Sequence, residues 1–413
     1  MYSKLPLIII LGATGSGKTK LSLELAKQFG GEIIGADSMQ VYRGLDIITA
    51  KVKKEEQLGI PHHLIDILDP HETFTVLEYR NQAVNIIDKL ILQNKLPIIV
   101  GGTNYYIESI LWNILVEEVD SNSKVIPLDY LGKDETLSSQ LLHEKLKTLD
   151  PNMAKRLHPN NKRKILRSLE VLYQKGKRHS EILKEQHSSQ GGSKTSGPLR
   201  YPNSVILWLQ CDKKTLNERL NHRVDEMVQE GLIDELSNIH KQFSNCDYTK
   251  GIFQSIGFKE FHSYLMIEET KRNEEDGMKI LQDCIERLKM VTRRYANKQV
   301  RWVRNRFLGR SDRSVPPVYN LDVTNVTEWK DNVSDRATEI VKSYISGTIC
   351  HYEKLSRIET VSNPNADDET YTCELCNRIF VGTFQWKIHL KSNKHRKAIE
   401  QRKKVAKGSS GDL

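Results

Sequence analysis

The sequence predicts an α/β protein: a P-loop parallel-sheet core with a helical insertion domain and a small C-terminal two-Cys/two-His zinc finger. Three observations carry this. Short apolar runs alternate with segments of helical spacing, as in a parallel sheet covered on both faces. The first run opens into GATGSGKT, a phosphate-binding pattern. Near the end, two Cys and two His recur at zinc-ligand intervals.

The elements follow in order. Residues 5–11 (LPLIIIL) read as a buried strand. Residues 20–29 carry Leu21, Leu25 and Phe29 at helical spacing and stop at Gly30-Gly31. A short strand over 32–35 leads to Asp37, and a helix over 76–93 precedes a strand over 96–100 that ends at Gly101-Gly102. Residues 205–209 form a further strand that reaches Asp212. Between about 120 and 196 the rhythm breaks into a helical stretch, basic at 162–167, that returns through a Gly/Ser-rich run at 188–197. Long helices are expected over 215–240, 278–307 and 328–344. On the second, Arg287, Arg294 and Arg301 recur every seven residues away from the stripe of Leu281, Ile285, Leu288, Tyr295 and Trp302. The expected domains are a core over 1–119 and 201–362, an insertion over 120–200, a linker over 363–370, a finger over 371–400 and a disordered basic tail over 401–413.

Composition limits the functional classes. At 413 residues and 38% hydrophobic, the chain can build a sizeable core. With 24 Gly and 12 Pro it is neither collagen-like nor disordered throughout. The early apolar run has seven residues, against roughly 20 for a membrane helix, so no membrane association is expected. The glycine-rich motif begins at Gly12, which leaves no room upstream for a leader. The six Cys are scattered apart from Cys373 and Cys376, as in a reducing compartment. The net charge is +9, and residues 387–407, with nine Lys/Arg against Glu400, hold +8 of it. A cationic patch so localised suits a polyanionic partner.

In Gly12-Ala13-Thr14-Gly15-Ser16-Gly17-Lys18-Thr19 the glycines let backbone N–H groups curl around phosphate oxygens. Lys18 adds a point charge, and the Thr19 hydroxyl can hold magnesium (Mg2+). The motif reports a diphosphate or triphosphate without naming the reaction. A phosphatase of ATP or GTP also needs an apolar strand ending in a magnesium-binding acid. Asp37, Asp66 and Asp212 each match this imperfectly. That leaves room for a diphosphate leaving group, with a small-molecule kinase as the rival enzyme. Asp37, at a strand's carboxyl end, could serve as a general base, and Thr103 offers a hydroxyl on the same rim. Cys373-x2-Cys376-x12-His389-x5-His395 would close a tetrahedron around zinc (Zn2+), with Tyr371, Phe380, Phe384 and Leu390 as its apolar filling.

GATGSGKT, ADSMQVYRGLDIITAKV, PHHLID, VGGTNYY, KRKILRSLEV, RVDEMVQEGLIDEL, SIGFKEF and TRRYANKQVRWVRNRF, in this order over roughly residues 5–307, resemble the tRNA dimethylallyltransferases (tRNA isopentenyltransferases). The terminal finger and basic run resemble those of eukaryotic members. The resemblance implies transfer of a dimethylallyl group from dimethylallyl diphosphate to the N6 amine of the adenosine 3′ of the anticodon in tRNA. It makes Asp37 the base, with Lys18, Thr19 and the loop amides on the diphosphate. Thr103, Ser38, Met39 and Gln40 then line the acceptor site. The stretch Arg163, Lys164, Ile165, Leu166 and Arg167 would contact RNA, together with Arg294 and Arg301 of the long helix. A monomer in the cytoplasm or nucleus is expected, and a mitochondrial form starting further upstream is compatible with this. A non-enzymatic RNA-binding protein is the remaining alternative.

Overall fold

The structure, a computed structural model, describes residues 5–114, 137–190, 192, 197–243, 247–309, 313–357, 369–376 and 378–408. The chain divides into two compact units, residues 1–115 with 191–359 and residues 116–190 with 360–413.

In the first unit, β1 (Leu7–Gly12) is followed by α1 (Lys18–Phe29), β2 (Glu32–Gly35), the two-residue β3 (His62–His63), α2 (Val76–Leu92), β4 (Pro97–Val100) and α3 (Asn104–Leu111). The second unit begins with the insertion helices α4 (Ser139–Leu149), α5 (Pro151–Arg156), α6 (Lys162–Lys175) and α7 (His179–Ser188). The first unit resumes with β5 (Ser204–Gln210), α8 (Lys213–Gln229), α9 (Leu232–Gln242), α10 (Phe258–Leu265), α11 (Glu275–Trp302), β6 (Val318–Asp322) and α12 (Arg336–Ser346). The second unit closes with the hairpin β7 (Thr370–Cys373) and β8 (Arg378–Val381), then α13 (Thr383–Leu390) and α14 (Asn393–Gly408).

The six strands of the first unit are parallel in the order β3-β2-β4-β1-β5-β6. Alternation within β1 explains its unbroken apolar run. Leu7, Ile9 and Leu11 face one core with Tyr79, Ile87 and Ile107 of the helices α2 and α3. Ile8 and Ile10 face the other with Leu21 and Leu25 of α1 and Ile340 of α12. Each such side chain stabilises the fold by about 1.5–3 kcal/mol on burial, so both faces must be covered. A third core joins α8–α11 to Val41, Tyr42 and Leu45 of the loop after β2.

Several expectations change. The helix expected over 215–240 is two helices, because Gly231 takes φ 101° and ends α8. Strands β3 and β6 were not foreseen: one has two residues, and the other reads VYNLD, with polar Asn320 and Asp322. Helix α14 runs to Gly408, so residues 401–408 are helical rather than a disordered tail. The expected linker at 363–370 lies largely outside the described residues.

The carboxyl ends of β2 and β4 are fastened together: Ala36 N donates to Val100 O at 2.8 Å, and Thr103 N donates to Ala36 O at 3.0 Å. A Cβ on Gly101 would lie 2.1 Å from Ala36 O, so the chains can approach only at glycine. Gly101→Ala is expected to cost about 1–3 kcal/mol, as overpacking does. Urea unfolding checks this, and an unchanged midpoint would mean that the two loops separate freely.

Candidate active site

The glycine loop joins β1 to α1 at the sheet's carboxyl edge. Gly15 and Gly17 have φ 75° and 84°, values that strain any residue with a Cβ. The Gly17 vacancy is filled by the Trp329 indole, 2.8 Å from where a Cβ would stand. Trp329 in turn donates to the Glu24 carboxylate at 3.0 Å and lies under the Lys20 ammonium at 4.6 Å. Lys18 Nζ donates back to Ala13 O at 2.8 Å. Burial lowers its pKa to about 8; the Arg223 charge pushes the same way, and Asp37 opposes. Ser16 Oγ is buried with no partner, and Thr19 is exposed.

The second loop presents Asp37. Its Oδ1 accepts Met39 N at 3.0 Å. Burial raises its pKa above the usual carboxylate value, although the Met39 and Gln40 amides, Lys18 and Arg223 pull the other way. Thr103 Oγ1 accepts Ser38 N at 3.0 Å and donates to Ser38 Oγ at 3.2 Å, so the β2 and β4 loops share one hydroxyl. Gln40 turns inward, donating to Thr49 O at 2.9 Å and Ala50 O at 3.2 Å. Met39 is half-buried against the third core. Tyr79 and Tyr106 stack at 3.9 Å, and burial, with the Asp37 charge contributing, holds both phenols protonated.

The other acids weighed for magnesium are occupied. Asp212 caps α8, accepting Lys214 N at 2.8 Å and Thr215 N at 3.1 Å. Asp66 pairs with Lys51. A cavity of about 750 Å3 lined by Tyr319, Tyr344, Cys350 and Tyr352 opens beside β6, and none of its lining residues belongs to either loop.

Sequence reasoning missed the role of three residues that bond to these loops. Arg223 of α8 donates to Thr14 Oγ1 at 3.2 Å, and burial lowers its pKa, against the pull of Glu226 and Asp37. Gln299 of α11 accepts Thr14 N at 2.8 Å and donates to Gly102 O at 3.1 Å. Tyr295, one turn earlier, donates to the same carbonyl at 3.4 Å. All three stand inside sequence runs quoted above, which was the only signal available.

In the second unit, the ligand atoms of Cys373, Cys376, His389 and His395 lie within 4.8 Å of one another. His395 Nδ1 is 3.6 Å from both sulfurs, and His389 Nε2 is buried without a partner. Two thiolates and two imidazoles, with no fifth donor in the group among the described residues, fit a closed structural zinc. Phe380 stacks on His389 at 4.1 Å and Trp386 stacks on Tyr371 at 5.4 Å. Trp386 therefore supplies the filling expected of Leu390, which is 42% exposed. The Phe384 side chain lies outside what the structure describes.

The family model described as IPP transferase matches residues 40–306, Isopentenyl transferase matches 5–66, and Zinc-finger of C2H2 type matches 371–395. The chain is 46% identical over 414 residues to the tRNA dimethylallyltransferase of Mus musculus, covering 97% of this chain and 87% of that one. This chain belongs to the tRNA dimethylallyltransferase family. The Homo sapiens member is also 46% identical, over the same shares of each chain. A crystal structure of a eukaryotic dimethylallyltransferase acting on tRNA superposes with a TM-score of 0.78 at 30% identity, covering 99% of this chain and 100% of that one. Membership makes the chain a prenyltransferase with a two-Cys/two-His zinc finger.

Among the expected RNA contacts of this chain, Arg163 and Lys164 are exposed on α6, as are Arg294 and Arg301 on α11. Leu166 is half-buried, and Arg167 is partly engaged by Glu170 at 3.2 Å. Ile165 is fully buried among Leu142, Leu146 and Leu169, so its side chain serves the insertion's core.

Each chain is expected to carry one zinc ion, lost in Cys373→Ser. Zinc content by atomic absorption, read alongside thermal melting, checks this. The melting transition of the sheet core should not move. Retained zinc would remove Cys373 from the ligand set.

Proposed function

We propose that this chain transfers the dimethylallyl group of dimethylallyl diphosphate to the exocyclic N6 amine of the adenosine 3′ of the anticodon in tRNA, releasing diphosphate. The observation that carries this is the convergence of a phosphate loop and a half-buried carboxylate, Asp37, on one edge of the sheet, with Lys18 and Arg223 charged beside both.

The division of labour follows from charge. The carbon–oxygen bond to diphosphate breaks as the nitrogen–carbon bond forms. Negative charge grows on the leaving group, toward amides of residues 15–19, Lys18 and Arg223. Thr19 at the start of α1 would hold a magnesium ion, which supplies further charge neutralisation on the diphosphate. At the other end the amine is a poor nucleophile, because its lone pair is delocalised into the purine. Asp37 takes its proton, and the raised pKa of this carboxyl makes it a stronger base than an ordinary aspartate. The amides of Met39 and Gln40 keep that carboxylate aimed. The Ser38–Thr103 pair holds the β2 and β4 loops together. Base extrusion from the anticodon loop costs a few kcal/mol, offset by phosphate contacts from Arg163, Lys164, Arg294, Arg301 and the basic finger. The commitment of Asp212 and Asp66 to a cap and an ion pair favours this reading over phosphoryl transfer.

Unmodified tRNA incubated with dimethylallyl diphosphate and magnesium, without ATP, should yield dimethylallyl-adenosine by nucleoside mass spectrometry. An unmodified adenosine would overturn the proposal. Asp37→Asn should fold and bind both substrates, yet lose about 10²–10⁴ in single-turnover rate. In the wild type the rate should fall as pH drops through the raised Asp37 pKa, because only the ionised carboxylate accepts a proton. A wild-type rate in Asp37→Asn at saturation would mean that another group is the base.

A further inference from the structure

We propose that Gln299 is a positioning residue that fixes the leaving-group end of the site to the acceptor end. This deepens the transfer reading and rests on it. The Gln299 side-chain amide is the described group that bonds to both loops at once. Its Oε1 accepts the phosphate-loop amide of Thr14 at 2.8 Å, and its Nε2 donates to Gly102 O at 3.1 Å. Thr14 N can only donate and Gly102 O can only accept, so the amide has one orientation. The residue is 4% exposed, and its own carbonyl accepts Asn104 Nδ2 at 3.3 Å, which holds the helix against the first turn of α3.

The local sequence is shaped to this bridge. A Cβ on Gly102 would stand 2.4 Å from Gln299 Nε2, so glycine there is what lets the amide in. Gly102 precedes Thr103, whose hydroxyl holds Ser38, next to Asp37. Thr14 sits in the loop that cradles the diphosphate, its hydroxyl engaged by Arg223. The path from phosphate loop to Asp37 thus passes through one planar amide on a 28-residue helix. An in-line displacement needs the amine nitrogen, the allylic carbon and the departing oxygen aligned, and a misplacement near 1 Å can cost about 10²-fold. Asparagine is too short to reach both partners. Glutamate keeps the acceptor for Thr14 N but, when ionised, repels the Gly102 carbonyl. Protonated, it donates as glutamine does.

The test uses full-length wild-type, Gln299→Glu and Gln299→Asn protein. Single-turnover rates are measured across pH at saturating tRNA and dimethylallyl diphosphate, and tRNA and inorganic diphosphate binding are measured separately. Gln299→Asn should lose about 10–10²-fold in rate, with each affinity changed less than about threefold. For Gln299→Glu, the rate relative to wild type should recover as pH falls and the new carboxyl protonates, a signature that a merely structural defect lacks. Wild-type rates in both variants would overturn the proposal. So would affinities that fall in step with the rates, or a Gln299→Glu ratio flat in pH. Should Gln299→Asn fail to fold, the Gln299→Glu pH ratio alone decides. A wild-type protein that leaves tRNA unmodified overturns the transfer reading, and this proposal with it.

Discussion

Two cations and one carboxylate stand half-buried together at the carboxyl edge of the sheet: Lys18 from α1, Arg223 from α8 and Asp37 from the loop after β2. Burial disfavours each charge, and mutual attraction offsets only part of that cost. The lowered Lys18 pKa corresponds to roughly 3 kcal/mol of unfavourable charging in the free protein. A bound diphosphate would reverse the balance, since several negative charges would face Lys18, Arg223 and the amides at the start of α1. The charges of Lys18 and Arg223 also oppose the rise that burial gives the Asp37 pKa.

Holding these charges in register demands a stiff acceptor loop, and that loop is tied from several sides. Lys51, its side chain only 4% exposed, donates to Tyr42 O at 2.7 Å and Gly44 O at 2.8 Å, and also pairs with Asp46 and Asp66. Glu235 accepts Ile47 N at 2.8 Å and Ile48 N at 3.0 Å. Leu45, Ala50, Leu64 and Asp66 take φ between 52° and 61°, a region that non-glycine residues occupy only under constraint. Gln40, read from resemblance as an acceptor-site residue, also ties this loop by donating its Nε2 to the Thr49 and Ala50 carbonyls. Two of these residues, Leu45 and Ala50, lie in the same loop as Asp37.

Local chemistry was legible in the sequence and tertiary bridges were not. The phosphate loop and the finger each gather their residues within a few turns of chain, so spacing alone placed them. Asp37 stood out because a parallel strand delivers its carboxyl end to one rim. Gln299 and Thr14 are 285 positions apart, and Arg223 and Thr14 are 209 apart, so no periodicity could pair them. Ile165 fell within a basic run and was grouped with its neighbours, although helical phase turns it into the core. β6 escaped notice because polar Asn320 and Asp322 interrupt its apolar run, although Val318, Tyr319 and Leu321 are buried.

The central claim is that the site is an electrostatically incomplete pocket that a diphosphate completes. It is tested most directly by the protons taken up when inorganic diphosphate binds. Calorimetry in buffers of differing ionisation enthalpy reads this number, for wild type and for Lys18→Arg, whose side chain stays charged throughout. With Lys18 near pKa 8 in the free protein, binding at pH 8.5 should take up about 0.75 proton more in wild type than in Lys18→Arg, and little more at pH 7. Equal proton uptake by the two proteins at pH 8.5 would contradict the account, because Lys18 would then carry its charge unperturbed before the ligand arrives.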